Sequence, residues 1–267
     1  MKHCSMYLDP KNLFVSTSAS TVEVIPSDSG SLKKWVKANH LKGASAHATL
    51  HPDDYQLFLL DRPNVAEKEM ISALRWQVRS WISFPVKETA IQYFAVPTEE
   101  RRAPKIYVCV ANLEKIKQWN NQCQEADLKL TQLNIVELAL SQLFNPFTLP
   151  SNYCGILFQK EKELELLVLH QNQLVFIRKF STSLSSPEEV TKALQESFLY
   201  CQGQKKELTI KLFLHSSLNP FLPFLREKHP EFSTEIFLKG TPTEAFSIEQ
   251  LISISAWINQ DRSHAEH

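Results

Sequence analysis

Gly155-Ile-Leu-Phe158, Leu164-Glu-Leu-Leu-Val-Leu-His170 and Gln173-Leu-Val-Phe-Ile-Arg-Lys-Phe180 are three short apolar runs in close succession. Their length suits strands better than helices. Gln171-Asn172, between the last two, has the chemistry of a tight turn, so the runs read as an antiparallel meander. Ser186-Pro187-Glu188 then opens a helix, because the fixed φ of proline suits a first turn; the helix extends to about Cys201. Leu208 to Leu214 reads as a strand and Leu218 to Lys228 as a helix broken by Pro220 and Pro223. Thr234 to Leu238 reads as a further strand and Ile248 to Ile258 as a last helix.

Three strands, helix, strand, helix, strand, helix is the element order of a ribonuclease-H-like half, the unit that actin-type proteins duplicate. The upstream text is less regular. Val22 to Ile25, Ala46 to Leu50 and Tyr55 to Leu60 are its strands, and Leu32 to Asn39 its helix. Around Asn64 a second helix begins, with Asn64 able to accept from first-turn N–H groups while Glu67 reaches back. Ile71, Leu74, Val78, Trp81 and Ile82 share one face of it, with Arg75 and Arg79 off that face, and Phe84-Pro85 ends it. After the apolar run Ile106 to Ala111, Asn112 caps a helix carrying Leu113, Ile116, Asn120 and Cys123 to about Ala126. A helix from Ile135 to Phe144 stops at Asn145-Pro146, and Thr148 to Ser151 reads as a linker. The expected fold is α/β and actin-like with mixed sheets. Residues 1–150 would form a first half with a small α/β subdomain inserted at about 64–126, and residues 151–267 a second half.

A chain of 267 residues with 43% hydrophobic composition can fill a core of this size. Lysine plus arginine balances aspartate plus glutamate at 29 each, so no net field concentrates nucleic acid or an acidic membrane face. No apolar run approaches the ~20 residues of a membrane-spanning helix, and Met1 to Pro10 lacks the apolar core of a secretory signal. The cytosol is the expected compartment, with no direct membrane insertion. Cys4, Cys109, Cys123, Cys154 and Cys201 are odd in number and form no Cys-x-x-Cys pair, the pattern of reduced thiols.

Catalytic chemistry finds little support. His47 and His51 have a four-residue spacing, but Pro52 follows and the segment reads as strand and turn, so they share no helix face for zinc. Asp53 and Asp54 after that proline are turn residues. Hydrolase, zincin, Walker and dinucleotide fingerprints are missing. Trp76, Trp81 and Phe84 have a spacing that suits a core, and Arg75 suits a structural ion pair. Taken with Arg79, the same five residues are the candidate partner-binding set, because tryptophan and arginine are enriched where partners dock.

Met70-Ile-Ser-Ala-Leu-Arg-Trp-Gln-Val-Arg-Ser-Trp-Ile-Ser-Phe-Pro-Val86 and Ile91-Gln-Tyr-Phe94 resemble the PilM and MshI proteins of type IV and mannose-sensitive pilus assembly, the MshI branch most. The resemblance continues through Lys105 to Ala111, Leu133 to Ala139 and Leu169 to Arg178. It implies a cytoplasmic actin-like scaffold, peripheral to the inner membrane, that grips the tail of a single-pass PilN-like protein, with an assembly motor ATPase as a further contact. It also implies an ATP site, and there the chain departs from the family. Phosphate loops need glycines, so that backbone N–H groups close on the phosphates, and an aspartate for the metal. Only five glycines occur in the chain, none before Gly30. Leu8-Asp9-Pro10 stands at the first phosphate segment, Asn152-Tyr-Cys-Gly155 at the second, and Phe213-Leu-His-Ser-Ser217 at the adenine loop. A scaffold without cofactor or catalysis follows. The alternatives are an actin-like ATPase with altered loops and a small-molecule enzyme on the same fold.

Overall fold

β1 (His3–Leu8) is buried on both faces, so it shows no alternation of polar and apolar residues. The buried hydroxyls of Ser5 and Ser16 interrupt the apolar text here, which is why this strand and β2 (Asn12–Ser18) are absent from the sequence reading. The Ser16 hydroxyl is satisfied by the carbonyls of Ser18 and Thr21. The structure is a computed structural model and describes residues 2–97, 103–143, 153–160, 163–171, 173–180, 187–202 and 210–258. The chain divides into two units, Met1–Val136 and Glu137–His267.

The first unit continues with β3 (Thr21–Pro26), α1 (Ser29–Ala38), β4 (Ser45–Leu50), β5 (Tyr55–Asp61), α2 (Glu67–Val78), β6 (Thr89–Val96), β7 (Lys105–Asn112), α3 (Leu113–Glu125) and β8 (Lys129–Asn134). α4 (Val136–Gln142) follows at the division. The second unit holds β9 (Tyr153–Lys160), β10 (Glu163–His170), β11 (Gln173–Phe180), α5 (Pro187–Gln202), β12 (Ile210–Leu214), α6 (Leu222–Lys228), β13 (Phe232–Ile236) and α7 (Ile248–Ile258). The meander and the order of elements after it stand as the sequence implied, with the last strand two residues earlier than expected; Asn172, Leu208 and Thr209 lie outside the described residues. A short 3-10 turn at Ser216–Phe221 precedes α6, where a single proline-broken helix was expected. Asn152, Ser186, Phe144 and the expected linker Thr148 to Ser151 lie outside the described residues.

Two sheets have the same plan. Their orders are β3-β2-β1-β4-β8 and β11-β10-β9-β12-β13. In each, the first three strands are antiparallel neighbours and the last two run parallel to the first. Each unit therefore contains one ribonuclease-H-like sheet. Between β4 and α3 the first unit adds a separate antiparallel sheet of order β5-β7-β6. Tyr55 to Asp61 belongs to this small sheet, pairing with β7 from Tyr55↔Ala111 to Asp61↔Lys105.

α2 covers that sheet. Met70, Leu74 and Val78 recur every four residues and are fully buried against Leu60, Ile91, Ile106, Val108 and Val110. The helix begins at Glu67, not at Asn64, and has no side-chain cap. Glu67 is held elsewhere, pairing with Arg62 at 2.7 Å and accepting from the Tyr93 hydroxyl, so it does not reach back to close a capping box. Asn112 does cap α3 as expected, its Oδ1 accepting from the N–H of Glu114 at 2.9 Å.

Candidate functional site

α2 ends at Val78, and Arg79 is already its C-cap. The Trp81 N–H donates to the Val78 carbonyl only three residues back, a 3-10 bond that tightens the turn after the helix, so the α-helical spacing is lost at Trp81. This corrects the expectation that Trp81 lies on the buried face. Trp81 is 54% exposed and Trp76, opposite the buried stripe of α2, is 65% exposed. Phe84 behaves otherwise, packing half-buried against the core under α2.

The Arg79 guanidinium sits 4.3 Å from the centroid of the Trp76 ring, a cation–π contact that orders both side chains in solvent. Trp81 leans on Phe58 of β5, with ring centroids 5.8 Å apart. Gln56 fixes the segment between them and Phe84, its Oε1 accepting the Ser83 N–H at 3.0 Å. Arg75 is exposed, and the lysine– and arginine–carboxylate pairs among the described residues do not involve it, so the structural ion pair expected for it is not made. From Met70 to Lys87 the sequence holds Arg75, Arg79 and Lys87 and no acidic residue. The geometry is thus a cationic and aromatic face beside a small sheet whose edges are β5 and β6. Ile106 to Ala111 lies in β7, the central strand, and is paired on both sides, so it offers no edge to an extended ligand.

Of the phosphate-loop positions that the resemblance implies, the first is filled by a side chain. In the β1–β2 turn Asp9 Oδ1 accepts the N–H groups of Lys11 at 2.9 Å and Asn12 at 3.1 Å. Those donors are consumed by the chain's own carboxylate, and Pro10 has no N–H to offer. His51 Nε2 lies 3.7 Å from Asp9 Oδ2. In the second unit the hairpin related to β1–β2 is β9–β10, paired down to Lys160↔Glu163; its connecting residues Glu161 and Lys162 lie outside the described residues. Gly155, placed in a phosphate segment by the resemblance, is inside β9 instead.

Both units carry the same histidine device after the fourth strand. His51 follows β4 and His215 follows β12; each is buried, extended in backbone and caps a 3-10 turn. The ring Nδ1 accepts the N–H two residues on, Asp53 at 3.3 Å and Ser217 at 3.3 Å. His215 Nε2 is also 2.9 Å from the Phe246 carbonyl oxygen. A carbonyl only accepts, so Nε2 carries the proton and Nδ1 receives the Ser217 hydroxyl hydrogen at 2.8 Å. The segment that the resemblance places at an adenine loop is therefore clasped by its own imidazole. The signal was present as His-Pro-Asp and His-Ser-Ser after equivalent apolar strands, but only the topology reveals the equivalence. His47, by contrast, stacks on His3 with ring centroids 6.1 Å apart. Asp54 lies 3.4 Å from the Trp119 indole nitrogen, which donates to it.

No protein-family model matches the chain, and no curated protein matches it. Solved structures do. The PilM-PilN type IV pilus biogenesis complex matches with a TM-score of 0.66 at 15% identity, covering 98% of this chain and 98% of that chain. The cytoplasmic domain of EpsL, an inner-membrane component of the type II secretion system of Vibrio cholerae, matches with a TM-score of 0.54 at 10% identity, covering 95% and 94%. A Bacteroides thetaiotaomicron protein of actin-like ATPase fold and unknown function matches with a TM-score of 0.55 at 9% identity, covering 95% of both chains. The fold is actin-like. At these identities the likeness is one of fold, and function has to be argued from the site. No helix among the described residues is long and apolar enough to cross a membrane.

Proposed function

We propose that the chain is a non-catalytic scaffold of type IV or mannose-sensitive pilus assembly. It binds the cytoplasmic tail of a single-pass, PilN-like inner-membrane protein and so sits in the cytoplasm beneath that membrane, with an assembly motor ATPase as its second contact. The observation that carries this reading is the exposure of Trp76 and Trp81 beside Arg75 and Arg79 on the small-sheet part of an actin-like unit. Large aromatic side chains ordered in water, with arginines among them, are what docked partners bury. The edge strands β5 and β6 suit an extended peptide whose main chain pairs with a strand; Trp81 stands at the β5 edge, against Phe58, and α2, which carries Trp76, packs against β6. Full-length likeness to a PilM-PilN complex supports the partner class.

The absence of catalysis is supported by Asp9, which occupies the turn donors and sets a carboxylate where phosphates would approach, and by the His215 clasp. Calorimetry with ATP and Mg²⁺ is expected to give no heat of binding, and micromolar affinity would favour the altered-loop ATPase. For the partner, labelled synthetic tails of neighbouring bitopic proteins are titrated by anisotropy. Trp76→Ala/Arg79→Ala is expected to weaken binding by at least about tenfold, as hot-spot truncations do. Equal binding by the variant, or no binding of any tail, contradicts the reading.

A further inference from the structure

The chain is neutral overall, with 29 basic and 29 acidic residues, yet its first unit holds a local excess of one sign. From Ser29 to Gly43 the sequence carries Lys33, Lys34, Lys37 and Lys42 and no aspartate or glutamate. Topology adds two more lysines. β1, β4 and β8 are adjacent parallel strands and begin at the same end of their sheet. Lys2 precedes β1, Lys42 lies in the connection into β4, and Lys129 opens β8. Backbone bonds draw them together: Ser45 N–H donates to the Lys2 carbonyl at 3.2 Å and Lys129 N–H to the Ala44 carbonyl at 2.9 Å. Lys2 Nζ donates to the His40 carbonyl at 2.9 Å, just beyond the end of α1. Lys37 stands in the last turn of α1, with Lys33 one turn behind on the same side.

Lys2, Lys33, Lys37, Lys42 and Lys129 are all exposed. The lysine– and arginine–carboxylate pairs among the described residues of this unit are Arg62–Glu67, Lys105–Asp61 and Lys117–Glu114, which involve none of them. The β2–β3 turn reaches the same end, because β2 runs antiparallel to β1, and it contributes only Ser18, Ala19 and Ser20. Glu125, the last residue of α3, and Asp127, two residues beyond it, are the carboxylates nearby in the chain. A zero sum over the whole sequence conceals this field, so the argument from neutrality against an acidic membrane face does not hold locally.

We propose that this end of the first unit is a docking surface for an anionic phospholipid bilayer. The cations are all lysines, and no arginine precedes Arg62. Compact ammonium charges suit diffuse attraction to many headgroups, whereas specific phosphate recognition favours the arginine fork. Among the described residues the large exposed apolar side chains are Val24, Val65, Trp76, Trp81, Leu199 and Tyr200, so beside these lysines the exposed ring is the small imidazole of His40 and not a phenylalanine, tyrosine or tryptophan platform for nucleic-acid bases. The surface excludes the α2 face and does not rest on tail binding.

The test is co-sedimentation of the full chain with vesicles of phosphatidylcholine alone or mixed with phosphatidylglycerol, at low and at raised salt. Binding is expected only to the mixed vesicles and is expected to weaken with salt, each lysine near the surface contributing about fivefold. Lys33→Glu/Lys37→Glu is expected to lose at least about twenty-five-fold, two such factors. Lys42→Glu/Lys129→Glu provides an independent second variant. Lys192→Glu/Lys239→Glu, equal in charge change but in the second unit, is expected to bind as wild type. Equal sedimentation with both vesicle types, none at low salt, or the same loss in all three variants overturns the proposal. So does lysine-dependent capture of a labelled single-stranded oligonucleotide without vesicle binding.

Discussion

Replacing Gly155 by alanine adds a single methyl group to the central strand of the second sheet. A Cβ there would lie 2.7 Å from Phe198 Cζ, 2.9 Å from Leu212 Cδ1 and 3.2 Å from Leu166 Cδ1. Ordinary carbon contacts are about 3.5–4.0 Å, so two of the three overlap severely. Phe198, Leu212 and Leu166 are themselves fully buried, and none can swing into solvent to make room. Such overpacking costs about 1–3 kcal/mol. Alanine would recover about 0.4–1 kcal/mol by restricting the unfolded chain, leaving a net loss of about 1–2 kcal/mol. With a urea slope of about 2 kcal/mol per molar, the midpoint should fall by roughly 0.5–1 M, read by circular dichroism. Phe198→Leu removes the nearest atom, so in the double variant the cost of the added methyl should shrink and the cycle should show favourable coupling. An unchanged or raised midpoint for Gly155→Ala, or strict additivity in the cycle, would refute the claim that this glycine is required by space.

Leu74→Ala should cost about 2–5 kcal/mol, because Leu74 is fully buried beneath α2, whereas Trp81→Ala, at 54% exposure, should stay within about 1 kcal/mol; equal shifts in melting temperature would contradict the placement of the two side chains. Burial pushes the thiols of Cys4 and Cys154 up to about 12 and that of Cys123 up to about 11, with the neighbouring Cys123 adding to the effect on Cys4. In a disulfide-exchange assay these three should react far more slowly than half-buried Cys109 and Cys201. The folded chain holds these protons more tightly than the unfolded chain, whose thiols titrate near about 8.5, so this contribution is complete below that pH and is lost as pH rises toward 11–12. A urea midpoint that climbs over that range in wild type, or falls no less steeply in Cys154→Ala, would contradict the assignment.

The sequence alone makes the element order of the second unit legible, because its strands are bounded by turn residues and its helices by a proline start and apolar periodicity, all local signals. It also determined the cap at Asn112 and the lack of phosphate-loop glycines, which need no partner to be read. The doubly buried strand β1 was hidden, since a central strand shows no alternation and Ser5 and Ser16 break its apolar text. Trp81 was misassigned because periodicity says which residues would share a helix face but not where the helix stops; the three-residue bond from the Trp81 N–H to the Val78 carbonyl marks that end. Of the five candidate residues, local spacing could not separate Phe84, which packs under α2, from Trp76 and Trp81, which face solvent. Their exposure depends on which residues of β5, β6 and β7 lie opposite, and those strands are brought under α2 by pairings between positions as distant as Tyr55 and Ala111. The lysines at the start of β1, β4 and β8 were equally legible one by one. Only the parallel pairing of three strands, separated in sequence by an inserted sheet, brings Lys2, Lys42 and Lys129 to one end, because Coulomb fields add in space and not along the chain.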